Sequence, residues 1–297
     1  MDLIVALQSA ASPTLDRFMM FVTNFGAEQV YVALLVIAFV GLSAKNGRRL
    51  AIYFLAGVYL MKLLKLLFDA PRPFDLDPSV LRSSAAEDTA AGASFPSGHA
   101  LSAMLLWGLA ASYVRRTWFT VVAALIVGLV AVSRIYLGVH FPIDVVAGLA
   151  LGLLFVFAGR MIDRLDWEPG LPALITLGLF VPFVLHLLLP TAGSGLYMGG
   201  LAAFVLGPEL VRHNTDGPLA KRIVLVIIGL ALVFAALMGS SAAIPDAVRH
   251  SAVGSFVRYL LVAAVGTVLV PLIGKWLNLV PAAGGVRPAA PLTARTR

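Results

Sequence analysis

The segment TWFTVVAALIVGLVAVSRIYLGVHFPIDVVAGLALGLLFVFAGR, Thr117 to Arg160, holds two long apolar blocks separated by a short interval that carries Ser133, Arg134, His140 and Asp144. Each block is continuous in Val, Leu and Ala and approaches the roughly 20 residues that a helix needs to cross a bilayer. Neither alternates apolar with polar residues, as a barrel strand would. The same pattern recurs along the chain. About nine spans are expected, at roughly 28–44, 50–68, 97–114, 117–135, 141–160, 171–190, 193–208, 221–240 and 252–274. The Gly-rich seventh is the weakest. The fold class expected is all-α, a polytopic transmembrane bundle.

Composition agrees. The chain of 297 residues is 60% hydrophobic and 12% charged, too little polar surface to cover a water-soluble globule. It has no cysteine, which excludes disulfides, thiolate metal sites and cysteine nucleophiles. Residues 2–24 lack the basic start of a signal peptide and read as an interfacial amphipathic segment. Residues 281–297, rich in Pro, Ala, Gly and Arg, read as a disordered cytoplasmic tail. The expected organisation is an interfacial segment at 1–27, a transmembrane core at 28–164, accessory helices at 165–280 and the tail.

The net charge of +7 is distributed with the topology. Lys45, Arg48 and Arg49 follow the first span, Arg115 and Arg116 the third, and Arg160 and Arg164 the fifth. Arg212, Lys221 and Arg222 follow the seventh, and Lys275, Arg287, Arg295 and Arg297 the ninth. Every second connection is basic, which puts those connections and the C-terminus on the cytoplasmic side. These charges suit anionic lipid, and no nucleic-acid motif accompanies them.

Three polar clusters fall on the opposite side: KLLFDAPRPF (Lys65–Phe74), SFPSGHA (Ser94–Ala100) and SRIYLGVHFPID (Ser133–Asp144). Lys65 alone is compatible with simple snorkelling, as is Lys62. Arg72 is held between Pro71 and Pro73, which stop the helix. Pro96 suits a first helical turn, leaving the backbone N–H groups of Ser97, Gly98 and His99 at a positive helix end that fits an anion. Pro142 opens another helix and places Asp144 within a turn of His140, where a carboxylate fixes the imidazole tautomer and makes the ring a plausible nucleophile. Arg134 adds a planar fork matched to phosphate oxygens, with Ser133 as a cap or support. Together these are the groups of a phosphate site.

Read with their spacing, the three clusters resemble the signature of the type 2 phosphatidic acid phosphatase (PAP2) superfamily, which also includes vanadium haloperoxidases, bacterial nonspecific acid phosphatases and glucose-6-phosphatase. Lys65, Arg72 and Pro73 match its first part, Pro96 to His99 its second, and Ser133, Arg134, His140 and Asp144 its third. A Pro-Ser-Gly-His tetrapeptide arises by chance on the order of once in several hundred chains of this length. The motifs fall within roughly 28–164, and none supports the resemblance beyond about residue 170.

The resemblance implies that His140 attacks phosphorus to form a phosphohistidine, that His99 protonates the leaving oxygen and then activates water, and that Asp144 orients His140. It implies that Lys65, Arg72, Ser97, Gly98 and Arg134 hold the phosphoryl oxygens, with no metal and no cofactor. The expected substrate is a lipid phosphate monoester or diphosphate of the phosphatidate, phosphatidylglycerol phosphate or polyprenyl diphosphate type, met at the extracytoplasmic face of a cytoplasmic membrane. A soluble sugar phosphate, phosphoryl transfer to another acceptor and a non-catalytic headgroup-binding protein remain as alternatives. Elsewhere, interfacial packing is expected of Tyr136, an interhelical hydrogen bond of His186, solvated roles of His213 and His250, and outward snorkelling of Arg258. Asp75, Asp77, Glu87 and Asp88 are expected to be solvated loop residues.

Overall fold

The computed structural model describes residues 1–165 and 169–280; the tail expected at 281–297 lies outside them. Among the described residues every regular element is helical. Two short helices, α1 (Asp2–Gln8) and α2 (Pro13–Thr23), precede α3 (Glu28–Val36), which continues to Leu42 as a widened turn. Then come α4 (Ala44–Phe68), the short α5 (Pro73–Leu76) and α6 (Ser84–Asp88), and the long α7 (Gly98–Val114), α8 (Thr117–Tyr136) and α9 (Pro142–Arg164). The second half holds α10 (Leu171–Ile175) running into α11 (Val181–Leu188), then α12 (Ser194–Leu210), α13 (Leu219–Ala243), the single turn α14 (Asp246–Arg249), and α15 (Ala252–Ala264) running into α16 (Val270–Trp276).

Local chemistry explains the boundaries. Ser43 caps α4 by accepting from the Asn46 N–H at 3.2 Å, and α4 ends at Asp69 in a left-handed conformation (φ 38°) ahead of Pro71 and Pro73. Pro142 occupies the first position of α9, where a missing N–H is harmless. The turn between α8 and α9 needs Gly138: its φ is +74°, and a Cβ there would lie 2.0 Å from the Val80 carbonyl oxygen.

Among the described residues six helices are long and apolar enough to cross a membrane, and a seventh is added if the bent pair 13–26 and 30–42 counts as one span. The nine spans expected from hydropathy are not confirmed as a count. The run at 28–44 is broken and bent, and α7 and α12 stop at 17 residues each. Exposed Leu125, Leu153, Leu154, Phe157, Leu188 and Met238 form the apolar exterior that lipid requires.

In the first half α7 packs against α9, α8 and α4; in the second α12 packs against α15 and α4. One apolar cluster joins them, with Phe54, Leu55, Leu101 and Leu105 from one side and Tyr197, Phe204, Leu225 and Phe256 from the other. The Gly-rich run expected to be the weakest span is α12, buried along most of its length. A Cβ on Gly199 would sit 2.5 Å from the Phe256 carbonyl, so glycine lets α12 and α15 approach backbone to backbone.

The long helices of the first half alternate in direction. The ends of α4 and α8 and the starts of α7 and α9 meet at one end of the bundle, where the three polar clusters lie. At the other end Asp163 pairs with Arg49 (3.1 Å) and accepts from Tyr53 and Tyr113, Arg48 pairs with Glu209 (2.7 Å), and Arg222 donates to the Gly41 carbonyl. The N-terminal segment joins the first of these ends. Gln8 donates to the Val80 and Tyr136 carbonyls, and Asp16 pairs with Arg82 (2.9 Å).

Several local expectations are corrected. Tyr136 is buried and donates to Asp16 (2.6 Å) instead of packing at an interface. His213 is half-buried and bonds the Phe39 carbonyl across 3.2 Å. Arg258 does not snorkel: it is 7% exposed and donates to Ser240, Ser241 and the Leu237 carbonyl, because polar partners on α13 stand within its reach. Asp75 is not merely solvated, since it accepts from the Arg72 backbone N–H at 2.7 Å.

Candidate active site

At the end where α4, α7, α8 and α9 converge lies a cavity of about 380 Å³ lined by Lys65, Arg72, Gly98, His99 and His140. Ser97, Arg134 and Asp144 do not line it; all three are buried. Thus residues spread over 80 positions of sequence, Lys65 to Asp144, gather at one end of the bundle because they lie in or next to the ends of α4, α7, α8 and α9.

Arg72 is 3% exposed and almost saturated by main chain. Its Nε donates to the Gly92 carbonyl (2.9 Å) and its Nη2 to those of Ala91 and Ala93 (3.2 Å each). Nη1 donates to the Val139 carbonyl at 2.7 Å and lies 3.3 Å from His140 Nε2. Lys65 Nζ reaches the Ala93 carbonyl and that of Ser94 (3.3 Å). The loop 91–94 therefore holds both cations in place.

His140 Nδ1 lies 3.5 Å from Asp144 Oδ2. That oxygen also accepts from the Phe141 N–H (2.8 Å) and from Ser94 Oγ (2.5 Å), which is itself 3.4 Å from His140 Nδ1. A guanidinium can only donate, so the nitrogen facing Arg72 is the one with the lone pair, and Nδ1 carries the proton toward the carboxylate. Burial, then the cations of Arg134, Arg72 and Lys65, holds the His140 pKa well below the usual imidazole value. Both shifts favour the neutral ring, whose Nε2 lone pair faces Arg72 in a residue that lines the cavity.

The start of α7 differs from expectation. The helix begins at Gly98 with Ser97 as its cap, so Pro96 precedes it, and the Ser97 N–H is taken by the Asp144 carbonyl at 2.9 Å. That bond draws the start of α9 onto the start of α7, and the Ser97 hydroxyl is left buried without a partner. Nε2 of His99 and Nε of Arg134 are likewise buried without partners among the described residues. Arg134 is otherwise fixed by Thr23 (2.7 Å) and Thr89 (2.8 Å). Ser133 gives it no support, since its hydroxyl turns back to the Val130 carbonyl. Buried polar atoms are rarely left unsatisfied, and His99 Nε2, on a residue that lines the cavity, fits an anion with acceptor oxygens.

Two parts of the chain match known protein families. Residues 46–164 match the PAP2 superfamily, and residues 191–283 match the transmembrane extension of PAP2 superfamily phosphatases. The chain is 32% identical to phosphatidylglycerophosphatase B of Bacillus subtilis (strain 168) over 51% of its own length and 77% of the relative's. The chain belongs to the PAP2 superfamily. An undecaprenyl-diphosphatase of Sulfolobus acidocaldarius is 30% identical over 50% of this chain and 71% of its own. A solved transmembrane PAP2 type phosphatidylglycerolphosphate phosphatase from Bacillus subtilis shares 30% identity, covers 56% of this chain and 85% of that one, and has a TM-score of 0.48.

For a PAP2 chain, the most consequential residue that sequence reasoning passed over is Ser94, which stands in SFPSGHA two residues ahead of Pro96. Its hydroxyl touches the same carboxylate oxygen that faces His140. Thr23 and Thr89, the partners of Arg134, carry no motif and become visible only once α2 and the loop after α6 are folded against α8.

Proposed function

We propose that this chain hydrolyses a lipid phosphate monoester or diphosphate, of the phosphatidate, phosphatidylglycerol phosphate or polyprenyl diphosphate type, through a phosphohistidine on His140. The observation that carries the reading is one cavity lined by Lys65, Arg72, His99 and His140, in which His99 Nε2 is buried and without a partner among the described residues. A phosphoryl oxygen is an acceptor that such a group lacks.

In this mechanism the His140 Nε2 lone pair attacks phosphorus and the bond to the leaving oxygen breaks. The imidazolium that forms is stabilised by Asp144, whose carboxylate is oriented by the Phe141 N–H and Ser94. Lys65, Arg72 and Arg134, with Ser97 and the Gly98 N–H, take up the negative charge spread over the phosphoryl oxygens. His99 gives its proton to the leaving oxygen, then takes one from the water that attacks the phosphohistidine. Phosphate leaves and both rings return to their starting states.

The site belongs, in this reading, to the extracytoplasmic face of a cytoplasmic membrane, with the C-terminus on the cytoplasmic side. Its support is the segregation of charge: Arg48, Arg49, Arg160 and Arg222 lie at the end of the bundle opposite the site. Residues 28–164 form the catalytic core and 165–280 an accessory bundle.

The test is release of inorganic phosphate by the purified protein in detergent, comparing phosphatidate, phosphatidylglycerol phosphate and a polyprenyl diphosphate with a sugar phosphate. The reading expects kcat/KM for at least one lipid to exceed that for the sugar phosphate by tenfold or more, about 1.4 kcal/mol of transition-state binding. Preference for the sugar phosphate would overturn it.

A further inference from the structure

The cavity has two chemically distinct zones. One carries the cations and histidines; the other is lined by Tyr31 of α3, Phe54, Val58 and Met61 of α4, and Tyr197 of α12. On α4 the lining residues 54, 58, 61 and 65 repeat every three or four positions, so they form one stripe on one face of the helix. At 1.5 Å per residue that stripe descends about 16 Å from Lys65 to Phe54. The cavity therefore passes from charged groups at the helix ends into the depth where a lipid's carbon chain lies.

The wall facing this stripe comes from the second half of the molecule. Tyr197, on the second turn of α12, is 4% exposed, and its ring rests over Gly193, where a Cβ would stand 3.2 Å from Tyr197 Cε2. The Tyr59 hydroxyl donates to the Leu185 and Leu189 carbonyls (2.9 and 3.0 Å), tying α4 to the end of α11. Tyr31 and Phe54 pack ring against ring, centroids 4.9 Å apart. The apolar zone is thus a rigid aromatic slot, and residues 191–283, the part matching the transmembrane extension, supply one of its sides.

We propose that Tyr197 is a specificity-determining residue: with Tyr31, Phe54, Val58 and Met61 it encloses the hydrocarbon of the substrate next to its phosphate, so that the extension takes part in substrate choice. The inference rests on the lipid phosphatase reading above. Contact with a carbon chain is uniform binding, present in ground and transition states alike, so its loss appears in KM more than in kcat.

The experiment compares full-length wild type, Tyr197→Ala and Tyr197→Phe on a long-chain phosphatidate in detergent and on p-nitrophenyl phosphate. In Tyr197→Ala the ratio of kcat/KM for the lipid to that for p-nitrophenyl phosphate falls about tenfold, through a raised lipid KM, as expected for losing most of a buried aromatic contact. Tyr197→Phe keeps the ratio within about twofold. Where Tyr197→Ala does not fold, Tyr197→Trp narrows the same slot and lowers the same ratio. A ratio unchanged in a folded Ala or Trp variant, or an equal loss on both substrates, overturns the inference alone. Wild-type protein that cleaves p-nitrophenyl phosphate but not the lipid overturns the functional reading, and the inference with it.

Discussion

Two buried histidines, one in each half of the molecule, differ in what surrounds them, and the proposed mechanism rests on that difference. His186, 4% exposed, bonds the Ser194 hydroxyl through Nδ1 and the Ala252 carbonyl through Nε2, both at 2.8 Å. Those bonds tie α11 to the starts of α12 and α15. His140 is equally buried, but one nitrogen faces a carboxylate, the other lies 3.3 Å from a guanidinium, and the residue lines the cavity. Burial is common to both. The charged partners, a carboxylate on one side and a guanidinium on the other, set His140 apart from His186.

The largest effect expected from breaking this comparison is in His140→Ala, where phosphate release falls by about 10⁴-fold or more because the attacking atom is gone. Retained turnover in that variant would erase the distinction. Next, Arg72→Met lowers kcat/KM by about 10²–10³-fold, the usual loss for a donor to a developing charge. The same variant moves the acid limb of the pH profile. With a cation removed, protonating His140 becomes easier, its pKa rises, and activity is lost at a higher pH than in wild type. An acid limb that stays in place would show that Arg72 does not act on this ring.

A smaller effect is expected of Ser94→Ala. Asp144 loses its 2.5 Å donor, and kcat falls about tenfold with little change in KM, as for a residue that orients a catalytic group without touching substrate. Smallest on activity is His186→Ala, with kcat within about twofold of wild type and stability toward denaturant lower by about 1–3 kcal/mol through its lost buried hydrogen bonds. A folded His186→Ala without activity would place function in the second half as well.

Much of the candidate site was legible in the sequence because its polar residues sit at helix ends, where prolines and breaks in hydropathy expose them. Lys65, Arg72, Gly98, His99 and His140 were named from their spacing, and they line one cavity. What stayed hidden depends on main-chain atoms and distant contacts. The Ala91, Gly92 and Ala93 carbonyls that hold Arg72 have no side-chain signature, and the bond from the Ser97 N–H to the Asp144 carbonyl joins two helices 47 positions apart. Hydropathy ranks the run of α12 as the weakest span, and the helix stops at 17 residues; what hydropathy does not carry is that its glycines permit close helix contacts. Arg258 was read as a snorkelling side chain because Ser240 and Ser241, which hold it, lie on another helix.

The central claim is a covalent phosphoryl group on His140, and trapping it is the most direct measurement. Wild type and His140→Ala, incubated briefly with a substrate carrying labelled phosphate and quenched in alkali, are examined for protein-bound label. The account predicts label in wild type that is stable to alkali, released by acid and located on the peptide containing His140, with none in His140→Ala. Equal labelling of the two proteins, or label on any other residue, would contradict it.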